Sequence, residues 1–322
     1  NKSYMKRKGV NDIELLLSEL DKQQLCDFIR VECANDRHFQ QRFLSLGTGF
    51  LTSPKFSDYH ARIMDVIEEF GDRHGYVEYS KTFRLNRAIC QIIDEADVAI
   101  QNYQWDVAQV ILDSIATSGE DILYCGDDSA GELGDILHYC FQKWHELSSD
   151  ELLPEGKKSE LFELFLTHFA EGCLKEFDWW WDWIQMAIQL ADDEEMQGRI
   201  IQELDKVINI KGDEWGINYN RQVAQRHKLE IMSKRGTPEE QFKFMYENVS
   251  NPDFRRRLLQ MAWDRGDYKE VLRLAVDGAT HDSDYAGLVN DWHKWELKVY
   301  LQTHDHAGSL RLYQYFFFNG GR

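Results

Sequence analysis

Apolar residues recur every three or four positions along almost the whole chain, and only four prolines interrupt its 322 residues. That spacing stacks side chains on one face of a helix, whereas a half-buried strand needs strict alternation. The pattern runs through Leu25, Phe28 and Ile29, then Tyr59, Ile63, Val66, Ile67 and Phe70. It returns in Leu85, Ala88, Ile89, Ile92, Ile93 and Ala96, and again in Met196, Ile200, Ile201, Leu204, Val207 and Ile208. No convincing alternating segment competes with it, so the chain is expected to be all-α.

Helix starts are written in the same way. In "TPEEQF" (237–242) Thr237 sits at an N-cap, Pro238 at the first helical position and Glu240 at the third, a capping box. "NPDF" (251–254) repeats the device, and "DKQQL" (21–25) offers Asp21 with Gln24 reaching back. Counting such signals gives about thirteen helices joined by short turns.

Many short antiparallel helices in series predict a stack of hairpins. The clearest unit is "LLQMAWDRGDYKEVLRLAVDG" (258–278), which turns near Gly266 and sends Tyr268, Val271, Leu272 and Ala275 inward like a tetratricopeptide hairpin. "QNYQWDVAQVILDSI" (101–115) is a looser echo. The intervals are irregular, so the expected architecture is a degenerate helical-repeat solenoid, tetratricopeptide- or HEAT-like. "GDRHGY" suggests a division into an N-terminal helical region, 1–76, and a repeat array, 77–322.

Thirty-seven basic against 56 acidic residues leave a formal charge of −19, a field that repels phosphate backbones and anionic membrane surfaces. Nucleic acid is a disfavoured partner for such a chain, and the basic runs at 221–235 (Arg221, Arg226, Lys234, Arg235) and 254–257 read first as solvated helix faces. Six cysteines without CxxC spacing read as buried free thiols, which suits a reducing cytoplasm. No apolar run approaches a bilayer's width, and the basic start "NKSYMKRKG" has no signal-peptide core behind it, so a cytoplasmic protein without a membrane role is expected.

Three stretches together carry a resemblance: "LSELDKQQLCDFIRVECANDRHFQQRF", "DDSAGEL", and "RGDYKEVLRLA" followed by "DWHKWELKVYLQTHDHAGSLRLYQYFFF". They resemble the helical region that follows the finger in bacterial SWIM-type zinc-finger proteins. The resemblance implies a helical-repeat body joined, in relatives, to a finger thought to bind nucleic acid or protein. The C-x-C and C-x-H pairs that would hold zinc are absent from this sequence, so no metal ligand is carried over. The finger then lies outside this chain or is missing from this member.

Motifs for chemistry are sparse. There is no dinucleotide fingerprint, phosphate loop, zinc-protease helix or nucleophile elbow. "THDSD" and "THDHAG" supply His281, Asp282, Asp284, His304, Asp305 and His306, ligand types of helical metal-dependent phosphohydrolases, yet both sit where Asp and His cap helix ends. No catalytic residue, cofactor or metal site is therefore assigned.

Two features remain. In "EFDWWWDWIQMAIQLADD" (176–193), Trp180, Trp183, Ile184 and Ala187 make a buried stripe, leaving Trp179 and Trp181 to pack on a neighbouring repeat or to face an exposed groove; Trp179, Trp181 and Trp183 are the candidates if it is a partner groove. In "CGDDSAGEL" (125–133) the calcium-loop register fails, and Ser129 with Glu132 reads as a capping box. The function this supports is a non-enzymatic helical scaffold that binds a protein or peptide. A nucleic-acid-associated module working with a SWIM-type finger is the alternative, and a metal-dependent hydrolase the second.

Overall fold

A computed structural model describes residues 20–35, 39, 43, 55–212 and 214–319. Among these residues the fold is all-α: fifteen helices, no strand, and one isolated parallel bridge between Val77 and Gly126. The sequence count of about thirteen was short because brief helices such as Gly119–Tyr124 have too few turns to show a period.

The chain forms two compact units, residues 1–190 and 191–322. The expected division at 76/77 does not separate packed bodies, since the helix before it packs on two helices after it. In the first unit, α1 (Lys22–Asn35) opens with the capping box read from sequence: Gln24 N–H donates to Asp21 Oδ1 at 2.8 Å and Asp21 N–H to Gln24 Oε1 at 3.0 Å. There follow α2 (Phe56–Phe70), α3 (Tyr79–Gln101), α4 (Trp105–Thr117), α5 (Gly119–Tyr124), α6 (Glu132–Ser148), α7 (Glu155–Glu171) and α8 (Trp180–Leu190). Packing here skips along the sequence: α2 meets α4 as well as α3, and α6 meets α3, α4 and α8.

The second unit comprises α9 (Glu194–Ile208), α10 (Trp215–Arg235), α11 (Pro238–Glu247), α12 (Pro252–Asp264), α13 (Tyr268–His281), α14 (Ala286–Gln302) and α15 (His306–Asn319). Its main contacts run strictly from each helix to the next. The Thr237–Glu240 capping box and the Asn251 cap ahead of Pro252 form as predicted. So does the 258–278 hairpin, with Val271 and Ala275 fully buried in a core of Phe254, Leu258, Leu259, Leu274 and Trp292.

One turn geometry recurs across both units. A residue in the left-handed region follows the helix at Tyr103, Gly172, Gly266 and His304. In each case the next residue's N–H donates to the carbonyl five residues back: Gln104 to Ala99 (2.8 Å), Cys173 to His168 (2.9 Å), Asp267 to Ala262 (3.0 Å) and Asp305 to Tyr300 (2.8 Å). This is the Schellman closure, which satisfies carbonyls that a helix end leaves without partners.

Candidate binding site

The tryptophan segment lies in the core of the first unit. Trp183 is 0% exposed and Trp181 9%, Trp180 is buried, and Trp179 is half-buried. The Trp183 ring meets Phe141 at 4.8 Å, His168 at 4.6 Å, Phe165 at 5.8 Å and Trp144 at 6.0 Å, while Trp180 stacks on Phe169 at 4.6 Å and donates from Nε1 to its carbonyl at 2.9 Å. The groove expected of Trp179, Trp181 and Trp183 is therefore not open at Trp181 or Trp183. Of the two places open to the surplus rings, a neighbouring repeat or a partner groove, packing on neighbouring helices is the one observed at Trp181. Helices α6 and α7 enclose most of α8, and Phe177 packs on Trp179 at 6.1 Å.

The "CGDDSAGEL" cap also differs in its residues. Helix α6 begins at Glu132 after Gly131, whose φ is 78°, so the Ser129–Glu132 capping box does not form. Asp128 takes the role: Leu133 N–H donates to its Oδ1 at 2.7 Å and Gly134 N–H to its Oδ2 at 3.1 Å. Ser129 instead turns back on Asp127, donating from its N–H at 2.9 Å and from its hydroxyl, and those two bonds hold the Asp127 carboxyl below its ordinary pKa range. The loop is pinned from the other side by Val77, whose N–H donates to Cys125 O at 2.7 Å. Glycine is required at 126 because a Cβ there would lie 2.5 Å from the Val77 carbonyl oxygen.

The basic runs are largely consumed within the second unit. Arg221 donates from Nε to Ile208 O (3.2 Å) and from Nη2 to Ile210 O (2.8 Å) and Gly212 O (3.0 Å), closing the C-terminal end of α9. Arg226 pairs with Asp253 at 2.9 Å, and Arg256 with Asp253 and Asp291. Arg255 is buried over Trp292 and donates to Leu274 O at 2.8 Å; Gly278 allows this, since a Cβ there would sit 2.7 Å from Arg255 Cδ. Burial draws the Arg255 guanidinium below its ordinary range, and the nearby Asp282 charge opposes that shift.

The histidine clusters part company. His304 occupies a left-handed turn position and Asp305 Oδ1 accepts from Gly308 N–H at 3.0 Å, as a helix cap does. Among the described residues, no group of three or more His, Cys, Asp or Glu side chains is placed to hold a metal ion. His281 and Asp282 have a different setting: they line a cavity of about 590 Å³ in the second unit.

One wall of that cavity is Trp215, Asn218, Tyr219, Arg221, Gln222 and Gln225, all on α10. Another is His281, Asp282, Tyr285 and Leu288, where α13 gives way to α14; Ser250 and Pro252 lie between. Helix α10 packs on α9 and α11, and α13 on α12 and α14, so neither neighbour fills the space. Trp215 is 70% exposed and stacks on Tyr219 with ring centroids 5.5 Å apart; Tyr285 is exposed as well. Beneath them runs an amide chain: Gln225 Nε2 donates to Asn248 Oδ1 at 2.8 Å, and Asn251 Nδ2 donates to Gln225 Oε1 at 3.0 Å and to Gln222 O at 3.2 Å. Asp282 is 5% exposed, and its Oδ2 accepts from Trp292 Nε1 at 2.7 Å.

From sequence, His281 and Asp282 stand out only as metal-ligand types and Arg221 only as part of a basic run; the aromatic and amide wall that joins them looks unremarkable alone. The signal available was the run Trp215, Tyr219, Gln222 and Gln225, an aromatic and amide face where a core helix would carry an apolar one. No family model matches the chain, and no curated protein or solved structure matches it. No described helix is long and apolar enough to cross a membrane.

Proposed function

We propose that this chain is a non-enzymatic helical scaffold that binds an extended peptide segment of a protein partner. The observation that carries the reading is the second unit's cavity, rimmed by Trp215, Tyr219 and Tyr285 and floored by bonded amides. Exposed aromatic rings beside a concavity supply large contact area at small loss of side-chain freedom, which suits them to anchor a partner. Gln222, on the α10 wall, carries an amide donor and acceptor of the kind that match a peptide group. The likeness of its caps and turns to the helical region of SWIM-type proteins agrees with a scaffold role. Panning a random heptapeptide library on the full chain, beside a Trp215→Ala/Tyr285→Ala variant, tests the proposal. Enrichment of peptide families by the wild type that the variant does not retain is expected. No enrichment, or the same families from both proteins, refutes it.

A further inference from the structure

Resting on the peptide-binding reading, we infer that the cavity selects a basic side chain, lysine or arginine, with Asp282 as its counter-charge and Trp215, Tyr219 and Tyr285 packing along its stem. Among the described residues, Asp282 is the only carboxylate lining the cavity. Its Oδ2 accepts from the neutral indole of Trp292; His281 Nε2 stands 3.9 Å from Oδ1, beyond hydrogen-bond reach. The residue is also the C-cap of α13, so its charge sits at the negative end of a helix dipole, where the last carbonyls lack intrahelical donors. An acidic residue there opposes the dipole, and a bound ammonium or guanidinium would relieve carboxylate and carbonyls together.

Two cations stand close by: Arg221 lines the cavity with its donors turned to neutral acceptors, and Arg255 lies near enough to Asp282 for the two charges to interact. Arg221 spends its donors on Ile208, Ile210 and Gly212 carbonyls and on Asn218, and Arg255 lies over Trp292 with Nη1 on Leu274 O. Aromatic faces attract cations through their quadrupoles, and stems of lysine and arginine bury well against them. The chain's formal charge of −19 adds a field that draws basic segments toward it.

The test uses the full chain and three fluorescein-labelled degenerate heptapeptides, in which three mixed Ala/Leu/Ser positions flank a central lysine, norleucine or glutamate on each side. Anisotropy in physiological salt is expected to rank lysine first, with about a tenfold advantage over norleucine. Asp282→Asn, which keeps an acceptor for the Trp292 indole, should bring lysine level with norleucine and leave norleucine unchanged; Trp215→Ala should weaken both. Equal lysine and norleucine affinities in the wild type overturn the inference and leave the peptide-binding reading intact. So does a lysine preference that survives Asp282→Asn, which would come from the molecule's bulk acidity. Failure of all three peptides to bind overturns both. The wild-type lysine–norleucine comparison stands even if Asp282→Asn does not fold, which a thermal melt would reveal.

Discussion

Helix α8 brings three tryptophans into the first unit and buries them among rings from α6 and α7; helix α10 brings one tryptophan into the second and leaves it 70% exposed beside a cavity. The first unit gathers its largest rings in one core and is short of basic residues over much of its length. Between Arg87 and Arg199 the only Lys or Arg residues are Lys143, Lys157, Lys158 and Lys175, and the first three are held by Asp97, Glu146, Asp106, Glu160 and Glu155. Both units bury polar groups, Lys143, Lys157 and His168 in the first and Gln225, Asn251, Arg255, Asp282 and Glu296 in the second, but the amide chain and the buried carboxylates belong to the second. Helices that pack mainly on their sequence neighbours leave space between non-neighbours, and polar residues can face such a space at little cost if they are bonded. The conspicuous tryptophans thus build a core, and the plainer helix builds the site.

The strongest way to break this comparison is to truncate one tryptophan in each unit. Trp183→Ala should cost about 3–5 kcal/mol, the usual loss for a buried ring, and speed hydrogen exchange through α6–α8. Trp215→Ala should change stability by no more than about 0.5 kcal/mol while weakening peptide binding. Urea unfolding followed by circular dichroism, with exchange read by mass spectrometry, separates the two; equal losses would end the distinction. Next in size is Gly278→Ala, whose Cβ would meet Arg255 Cδ and, at 3.0 Å, Trp292 Cδ1. Overpacking of this kind costs about 1–3 kcal/mol, and faster exchange should appear in α12–α14 but not in the first unit.

Legibility in the sequence follows the same divide. Periodicity and caps were readable because each depends on residues within one or two turns: Thr237 with Glu240, Asn251 with Pro252, and Asp21 with Gln24. Burial of Trp181 was not, since it is decided by α7, a separate helix whose approach no local pattern encodes. The repeated turn was half visible. Gly172 and Gly266 advertise the left-handed position, whereas Tyr103 and His304 adopt it without the residue that normally signals it. The cavity was least legible, because α10, the 250–252 turn and the α13–α14 junction meet only in the fold.

The cap of α6 sharpens the account of the first unit. Asp128→Ala should cost about 1 kcal/mol by freeing the Leu133 and Gly134 N–H groups, with Ser129→Ala well below that, measured by urea midpoints. A larger loss at Ser129 would restore the capping box. Alkaline pH gives a milder contrast, because all six cysteines lie in the first unit. Burial pushes the thiols of Cys90 and Cys125 up to about 11 and Cys173 to about 12. Unfolded thiols ionise near their ordinary value while the folded ones stay protonated, so stability should fall from about pH 9 upward until the folded groups titrate. Exchange should rise with pH, beyond its intrinsic rate, in α3–α8 ahead of α9–α15.

The smallest expected effect probes what the two units share. Tyr103 (φ 58°) and His304 (φ 58°) hold the position that glycine fills at 172 and 266. A side chain in that region costs about 1 kcal/mol, and glycine removes the cost while adding freedom to the unfolded chain. Tyr103→Gly and His304→Gly should therefore each be neutral to stabilising by about 0.5 kcal/mol. Gly266→Ala, the reverse change in the second unit, should destabilise by about 1 kcal/mol. Urea midpoints on the three variants check this. A clear loss on His304→Gly would mean that the histidine contributes more than a turn, and would reopen "THDHAG" as a site.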